Sequence, residues 1–346
     1  MEETGVIDWT SEGTHVLLNP RMTAEERTRL QRLAALVGLP AHVWVATSGS
    51  TGAVKLVALS KRAILASAAA VNSRLESSAD DVWCCVLPMF HVGGMGIHAR
   101  AHLLGSRVVS MEWDPDAFAN AAVTLASLVP AQVHDLVRMR LRPRRSLRAI
   151  LVGGGAFNRE LQESARTLGW PVLASYGMTE CASTVAVENI LLPHLEAKSV
   201  DLRLAFRGAS LLTGWIVNDR SFEDPKVDGW FQSEDVGSVE GRILRVEGRP
   251  ADFIKIGGES VDLRRLDAIL DSVRGEIDAA LIPVSDSRLG QVVHLASTIE
   301  SQSVIDAFNE RVLPFERIRA NHLVAAIPRS SLGKLLRQTL AEMIAE

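Results

Sequence analysis

Between residues 41 and 180 the chain alternates short β-rich runs with helical patterns, and this alternation restricts the fold more than any other feature. HVWVAT and KLVAL read as strands on either side of a polar loop, and residues 61–75 as an alanine-rich helix. VWCCVLP reads as a buried strand, GSRVVSM as another, and residues 114–122 as a short helix. LRAILVGGG is a strand running into glycines, residues 158–168 a helix opened by an Asn cap, and PVLASYG a further strand. Such alternation predicts a layered α/β sheet with helices on both faces, whose ligands sit beyond the carboxyl ends of the strands. TSGSTG, GGG and YGMTE each follow a strand, where a ligand would sit.

After about Ala197 the texture changes. LRLAFRGASLLTGWIV and GWFQSEDVGSVEGRILRVEGRP read as short strands joined by glycine turns. From ADFIKIGGESV onward come a helix at 262–273, a strand AALIPV, a helix at 303–312, a strand LVAAIP, a turn RSSLGK and a final helix. That is enough for a separate small domain. The formal net charge of −4 gives no electrostatic reason to expect nucleic acid or an anionic membrane. Three cysteines, two of them adjacent, fit a reducing compartment, and no spacing suggests structural zinc. With an acidic, mixed N-terminus and no apolar run of membrane-spanning length, we expect a cytoplasmic protein.

The polar loop TSGSTGAVK (Thr47, Ser48, Gly49, Ser50, Thr51, Gly52, then Lys55) has the chemistry of a phosphate cradle. Backbone N–H groups of glycine turns form anion nests, hydroxyls add donors, and lysine adds charge. It is not a Walker A loop, because Leu56 follows the lysine where that motif needs Ser or Thr. Taken alone, it reads equally as an exposed hairpin turn.

Four further stretches follow in order: PMFHVGG at 88–94, SYGMTE at 175–180, GWFQSED at 229–235 with GRPADFIKIGGE at 248–259, and PRSSLGK at 328–334. Together with the loop they resemble the ordered core motifs of the adenylate-forming superfamily of acyl-CoA synthetases, luciferases and peptide-synthetase adenylation domains. The resemblance runs from about residue 41 to 340. It implies an AMP-forming ligase in which a carboxylic acid attacks the α-phosphate of ATP and a thiol, that of coenzyme A, then displaces AMP. It also implies a large N-terminal layered α/β domain at 1–248, a hinge at 249–252, and a small mobile α+β C-terminal domain at 253–346 that pivots between the half-reactions.

Residue by residue, the resemblance puts the β- and γ-phosphates on the loop at 47–55. Thr179 would donate to the α-phosphate and Glu180 would carry Mg²⁺, a hard cation that favours carboxylate and phosphate oxygens. Tyr176, the only tyrosine, would pack on adenine beside Gly154 and Gly155, with Ser175, Gly177 and Met178 completing that wall. Asp235 and Arg249 would hold the ribose. Lys334 would balance charge as the adenylate forms. His91 and Gly93 would line the acyl pocket, and Gly257 and Gly258 would let the pantetheine arm of coenzyme A pass. The same residues have plain readings: Tyr176 as a core aromatic, Glu180 beside a helix N-terminus, Asp235 in a turn, Lys334 on the surface, His91 in the core.

Val54 stands where the family usually has proline, Ser233–Glu234–Asp235 replaces Thr-Gly-Asp and adds charge near the nucleotide, and Ala251 blurs the hinge. The stretch before the phosphate loop is also much shorter than the family's. Within the superfamily, PMFHVGGMGI, SLVPAQVHDL and YGMTECAST most resemble the o-succinylbenzoate–CoA ligases of menaquinone biosynthesis. A second substrate carboxylate needs donors. Ser183 and Thr184 offer hydroxyls, and Arg100 is either a cationic partner or a member of a surface ion pair. Another aryl- or short-acyl-CoA ligase and a non-catalytic adenylate-binding protein are the alternatives. The expected partners are small molecules, with no nucleic acid and no membrane insertion, and homo-oligomer formation is left open.

Overall fold

Apolar runs decide which strands are covered on both faces. VWCC (Val82–Cys85), LASL (Leu125–Leu128) and AILV (Ala149–Val152) are buried almost throughout in the computed structural model, as strands of a parallel sheet must be when helices flank it. The structure describes residues 7–20, 22–48, 54–155, 157–217, 221–248, 253–256, 259–286, 289–330 and 333–345. These three strands lie side by side in parallel, with Arg107–Ser110 at one edge and Val172–Met178 at the other. The sheet then turns antiparallel at Ser183–Val187 and continues, among the described residues, to eleven strands. Phe118, Trp170, Val133 and Leu136 fill one side, with Trp170 stacked on Phe118 at 5.8 Å. Val71, Ile97 and Ala101, from the helices Lys61–Arg74 and Val92–Leu104, fill another.

The expected helices form for local reasons. Ser60 caps Lys61–Arg74 by accepting from Ala63 N, and Asp114 caps Pro115–Ala119 through Ala117 N. Asn158 caps Arg159–Thr167 by accepting from Leu161 N at 2.8 Å. Such a cap stabilises by about 1 kcal/mol.

The strands flanking the polar loop belong to a second sheet, four-stranded among the described residues. His42–Ser48 and Val54–Ser60 pair antiparallel, with Ser48 opposite Val54, and Gly214–Val217 adds to the far side of the latter. Neither flanking strand therefore belongs to the parallel sheet. Two tight turns carry no glycine, Glu188–Asn189 and Asp201–Leu202, all four residues with positive φ. Both central residues at positive φ suit the two-residue hairpin.

Contacts divide the chain into two compact units, Met1–Ser233 with Gly237–Val246, and Glu234–Val236 with Glu247–Glu346. The second has its own core of Ile256, Leu266, Leu281, Leu295 and Phe308 under the helices Leu263–Val273 and Gln302–Asn309. There Ala279–Asp286 pairs antiparallel with Gly290–Ser297, which pairs in parallel with Ile318–Leu323. The strand expected at LVAAIP thus lies earlier, ending where that stretch begins. No described helix is long and apolar enough to cross a membrane.

Candidate active site

Two glycine-bearing segments leave neighbouring parallel strands at the same end. Gly153, Gly154 and Gly155 follow Ala149–Val152, and Ser175 to Met178 close Val172–Met178. Gly154 has φ +78° and Gly155 is exposed, so backbone is open there. A Cβ on Gly153 would lie 2.9 Å from Ser175 O, so the two segments need glycine to approach. Tyr176 is half-buried, its ring 6.3 Å from that of Phe206.

At Gly177 the ladder to Ser183–Val187 shifts register, and a Cβ there would meet Ser183 O at 2.1 Å. That bulge carries the chain into a 3₁₀ turn, Thr179–Cys181, closed by Ala182 and Ser183 at φ 54° and 109°. Glu180 sits on this turn and does not open a helix of the kind its plain reading needs. Its carbonyl accepts from Leu212 N at 2.8 Å, which fixes the backbone that aims the carboxylate.

Lys55 reaches this carboxylate from the four-stranded sheet. Its Nζ lies 3.5 Å from Glu180 Oε1 and 3.9 Å from the Trp215 ring centroid. Thr47 lies opposite Lys55 in the register, with Oγ1 3.5 Å from its carbonyl. The loop lysine and the proposed Mg²⁺ carboxylate, 125 residues apart in sequence, therefore meet. Trp215, on the strand Gly214–Val217, was not expected.

PMFHVGG forms a tight turn into the helix Val92–Leu104, which the glycines concealed in the sequence. His91 occupies the N-cap position, its ring 4.6 Å from Phe90, and burial lowers its pKa. Gly94 is required, because a Cβ would lie 2.3 Å from Pro88 O, and Gly93 packs against Leu87. Further along, a Cβ on Gly96 would meet Ser183 Oγ at 3.3 Å and Arg100 Nη2 at 3.4 Å. Arg100 is 2% exposed, which overturns its reading as part of a surface ion pair. Nη1 donates to Ser127 Oγ at 3.2 Å and Nη2 to Thr184 Oγ1 at 3.1 Å. The guanidinium lies 5.3 Å from the Trp83 ring, and Nε has no hydrogen-bond partner among the described residues. Burial lowers its pKa to about 10, so it stays charged at neutral pH. Ser183 and Thr184 are buried beside it.

Asp235 is buried on Phe231–Glu240, whose alternation points Phe231, Ser233 and Asp235 inward and leaves Glu234 exposed. Glu234 therefore lies on the opposite face of the strand from Asp235. Lys334 is exposed on a turn in the second unit, where Ser330 N donates to its carbonyl at 2.7 Å and Gly333 has φ +76°. Gly49, Ser50, Thr51, Gly52, Arg249, Gly257 and Gly258, with the hinge at 249–252, lie outside the described residues, as does the side chain of Ser48.

Among the described residues no three His, Cys, Asp or Glu side chains form a metal cluster. A lone carboxylate at Glu180 fits Mg²⁺ that arrives on phosphate oxygens, since that ion keeps waters and takes one or two protein carboxylates.

Residues 43–205 match the family model described as AMP-binding enzyme. The chain is 30% identical over 309 residues to the 2-succinylbenzoate–CoA ligase of Escherichia coli (strain K12), covering 86% of this chain and 68% of that one. It is 29% identical over 326 residues to the probable 2-succinylbenzoate–CoA ligase of Mycobacterium tuberculosis (strain CDC 1551 / Oshkosh), covering 87% and 84% respectively. Among solved structures, a variant of E. coli MenE with bound OSB-AMS superposes with a TM-score of 0.73 at 28% identity, over 87% of this chain and 68% of that one. The o-succinylbenzoate CoA synthetase (MenE) from Bacillus subtilis is alike in fold, with a TM-score of 0.77 at 24% identity over 86% and 68%.

Proposed function

Because the chain belongs to the adenylate-forming, AMP-binding family, we propose that it is an ATP-dependent acid–thiol ligase. It makes the CoA thioester of o-succinylbenzoate (2-succinylbenzoate), a step of menaquinone biosynthesis, and works in the cytoplasm. One observation carries the choice of acid: the buried Arg100 guanidinium, held by Ser127 and Thr184 with Nε unspent among the described residues. A lone buried cation is costly unless an anion meets it. A dicarboxylic substrate supplies that anion with the carboxylate that does not react, while Ser183 and Thr184 add hydroxyls or hold waters.

In the first half-reaction the other carboxylate forms a bond to the α-phosphorus of ATP and the bond to pyrophosphate breaks. Lys55 and the hydroxyls of the loop at 47–52 bind the leaving β- and γ-phosphates. Thr179 donates to the α-phosphate, and the adenosine lies along Gly154, Gly155 and Ser175–Met178, with its ribose on Asp235 and Arg249. Mg²⁺ held by Glu180 would supply charge neutralisation of the phosphates. Neutral His91, with Gly93, lines the acyl pocket and excludes water. Lys334 stabilises charge between carboxylate and α-phosphate. In the second half-reaction the CoA sulfur bonds to the acyl carbon and AMP leaves, after the domain at 253–346 has pivoted about 249–252 and brought Gly257 and Gly258 to the pantetheine arm.

Pyrophosphate release with a panel of acids tests the reading. o-Succinylbenzoate should be the preferred acid, and CoA should then yield the thioester. A preference for a fatty acid or for benzoate would remove the menaquinone assignment and leave the ligase. No release with any acid would favour a non-catalytic binder.

A further inference from the structure

Trp215 stands beside the candidate phosphate lysine with its ring fixed in several ways. Its indole N–H donates to Glu223 Oε1 at 2.6 Å, and its backbone N–H and carbonyl exchange bonds with Glu223 at 3.0 and 3.1 Å. Phe231 meets the ring edge-on, with centroids 5.8 Å apart and planes at 86°. The register puts Trp215 opposite Val57 and Val217 opposite Lys55, so Trp215 and Lys55 are diagonal neighbours on one face. The ammonium lies 3.9 Å from the ring centroid and 3.5 Å from Glu180 Oε1. A carboxylate accepting from the indole N–H raises electron density on the ring face, which strengthens its hold on a cation.

We infer that Trp215 is a positioning residue for nucleotide binding: its indole face holds the Lys55 ammonium beside Glu180 and keeps it there when the ion pair opens to admit phosphate. This rests on the proposed ATP-binding role of Lys55. A lysine side chain is long and flexible, and without the ring it would sample solvent once Glu180 turned to the metal. The ring cannot accept phosphate and competes with nothing the nucleotide brings. It therefore limits where the ammonium can go without neutralising it.

The test is a double-mutant cycle on Mg·ATP binding, measured calorimetrically without acid substrate. Trp215→Leu should weaken binding by about three- to tenfold in the wild-type background. In the Lys55→Met background it should change binding by less than about twofold, because nothing is left for the ring to hold. Trp215→Phe should fall between wild type and Trp215→Leu, and it replaces the leucine variant in the cycle should that one not fold. Equal losses in both backgrounds would reduce Trp215 to a packing residue and overturn the inference. A second readout needs no nucleotide. Lys55→Met should alter tryptophan emission in the wild type and leave it unchanged in the Trp215→Phe background. An emission change confined in this way, with no ATP binding by the wild type, would keep the contact and sink the nucleotide reading. The absence of any emission change would sink the contact.

Discussion

Arg100 Nη2 lies 3.1 Å from Thr184 Oγ1, joining the helix after PMFHVGG to the strand after YGMTEC. The two residues are 84 positions apart, and both are buried. Arg100→Met separates substrate recognition from stability. Removing a lone buried cation in favour of an apolar chain of similar reach should leave thermal stability unchanged or raised. The same change should raise KM for o-succinylbenzoate by about ten- to a hundredfold, the loss of a charge-assisted pair worth about 1.5–3 kcal/mol. Turnover of benzoate, with no second carboxylate, should move little. Parallel KM measurements and melting curves check it, and an equal effect on both acids would take Arg100 out of recognition.

Lys55 sits with its ammonium against Glu180, where phosphates would compete for it. Lys55→Ala should raise KM for ATP and slow pyrophosphate release by about 1.5–3 kcal/mol of lost interaction. KM for the acid should hold. Unchanged ATP kinetics in a folded variant would return the loop to a plain hairpin turn.

His194 makes the acid stability testable. Both ring nitrogens are buried without a hydrogen-bond partner among the described residues, and burial, with Arg242 second, lowers the pKa from 6.5 to about 4. The folded state therefore binds this proton less readily than the unfolded state. The neutral ring's contribution is fully present above pH 6.5 and is lost as pH falls toward about 4. The loss is about 3 kcal/mol across that window. Denaturant unfolding of wild type and His194→Leu from pH 7 to 4.5 should show the variant's stability falling less steeply. Parallel curves would mean that the site opens to water.

The parallel half of the large sheet was legible because AILV and VWCC are apolar without alternation, Asn158 announces a helix start and residues 61–75 are alanine-rich. The helix Val92–Leu104 was not, since Gly93, Gly94 and Gly96 weaken propensity there, Gly94 and Gly96 being kept for close approach to Pro88 O and Ser183. Turns without glycine, such as Asp201–Leu202, leave no composition signal. Individual site residues were readable as motifs, but their meeting was not. That Lys55 finds Glu180 depends on a ladder shift at Gly177, and that Arg100 is buried depends on the absent side chain of Gly96. The in–out alternation that separates Glu234 from Asp235 is a two-residue period that the sequence carries.

Lys334 and Gly258 divide the proposed reaction in two. Lys334 is exposed on its turn, so its ammonium can move to a ligand without first losing a buried partner. If the C-terminal domain pivots, Lys334 serves only while the acyl-adenylate forms, and Gly257–Gly258 only afterwards, where adjacent glycines let backbone approach the pantetheine arm. Lys334→Ala should slow adenylation about a hundredfold or more, as does loss of one donor that stabilises transition-state charge. Thiolysis of a supplied acyl-adenylate should stay near wild type. Gly258→Leu should do the reverse, accumulating adenylate that CoA cannot discharge. Single-turnover kinetics of each step with both variants decides the matter. If each variant slows both steps equally, one static arrangement serves both half-reactions and the pivot falls.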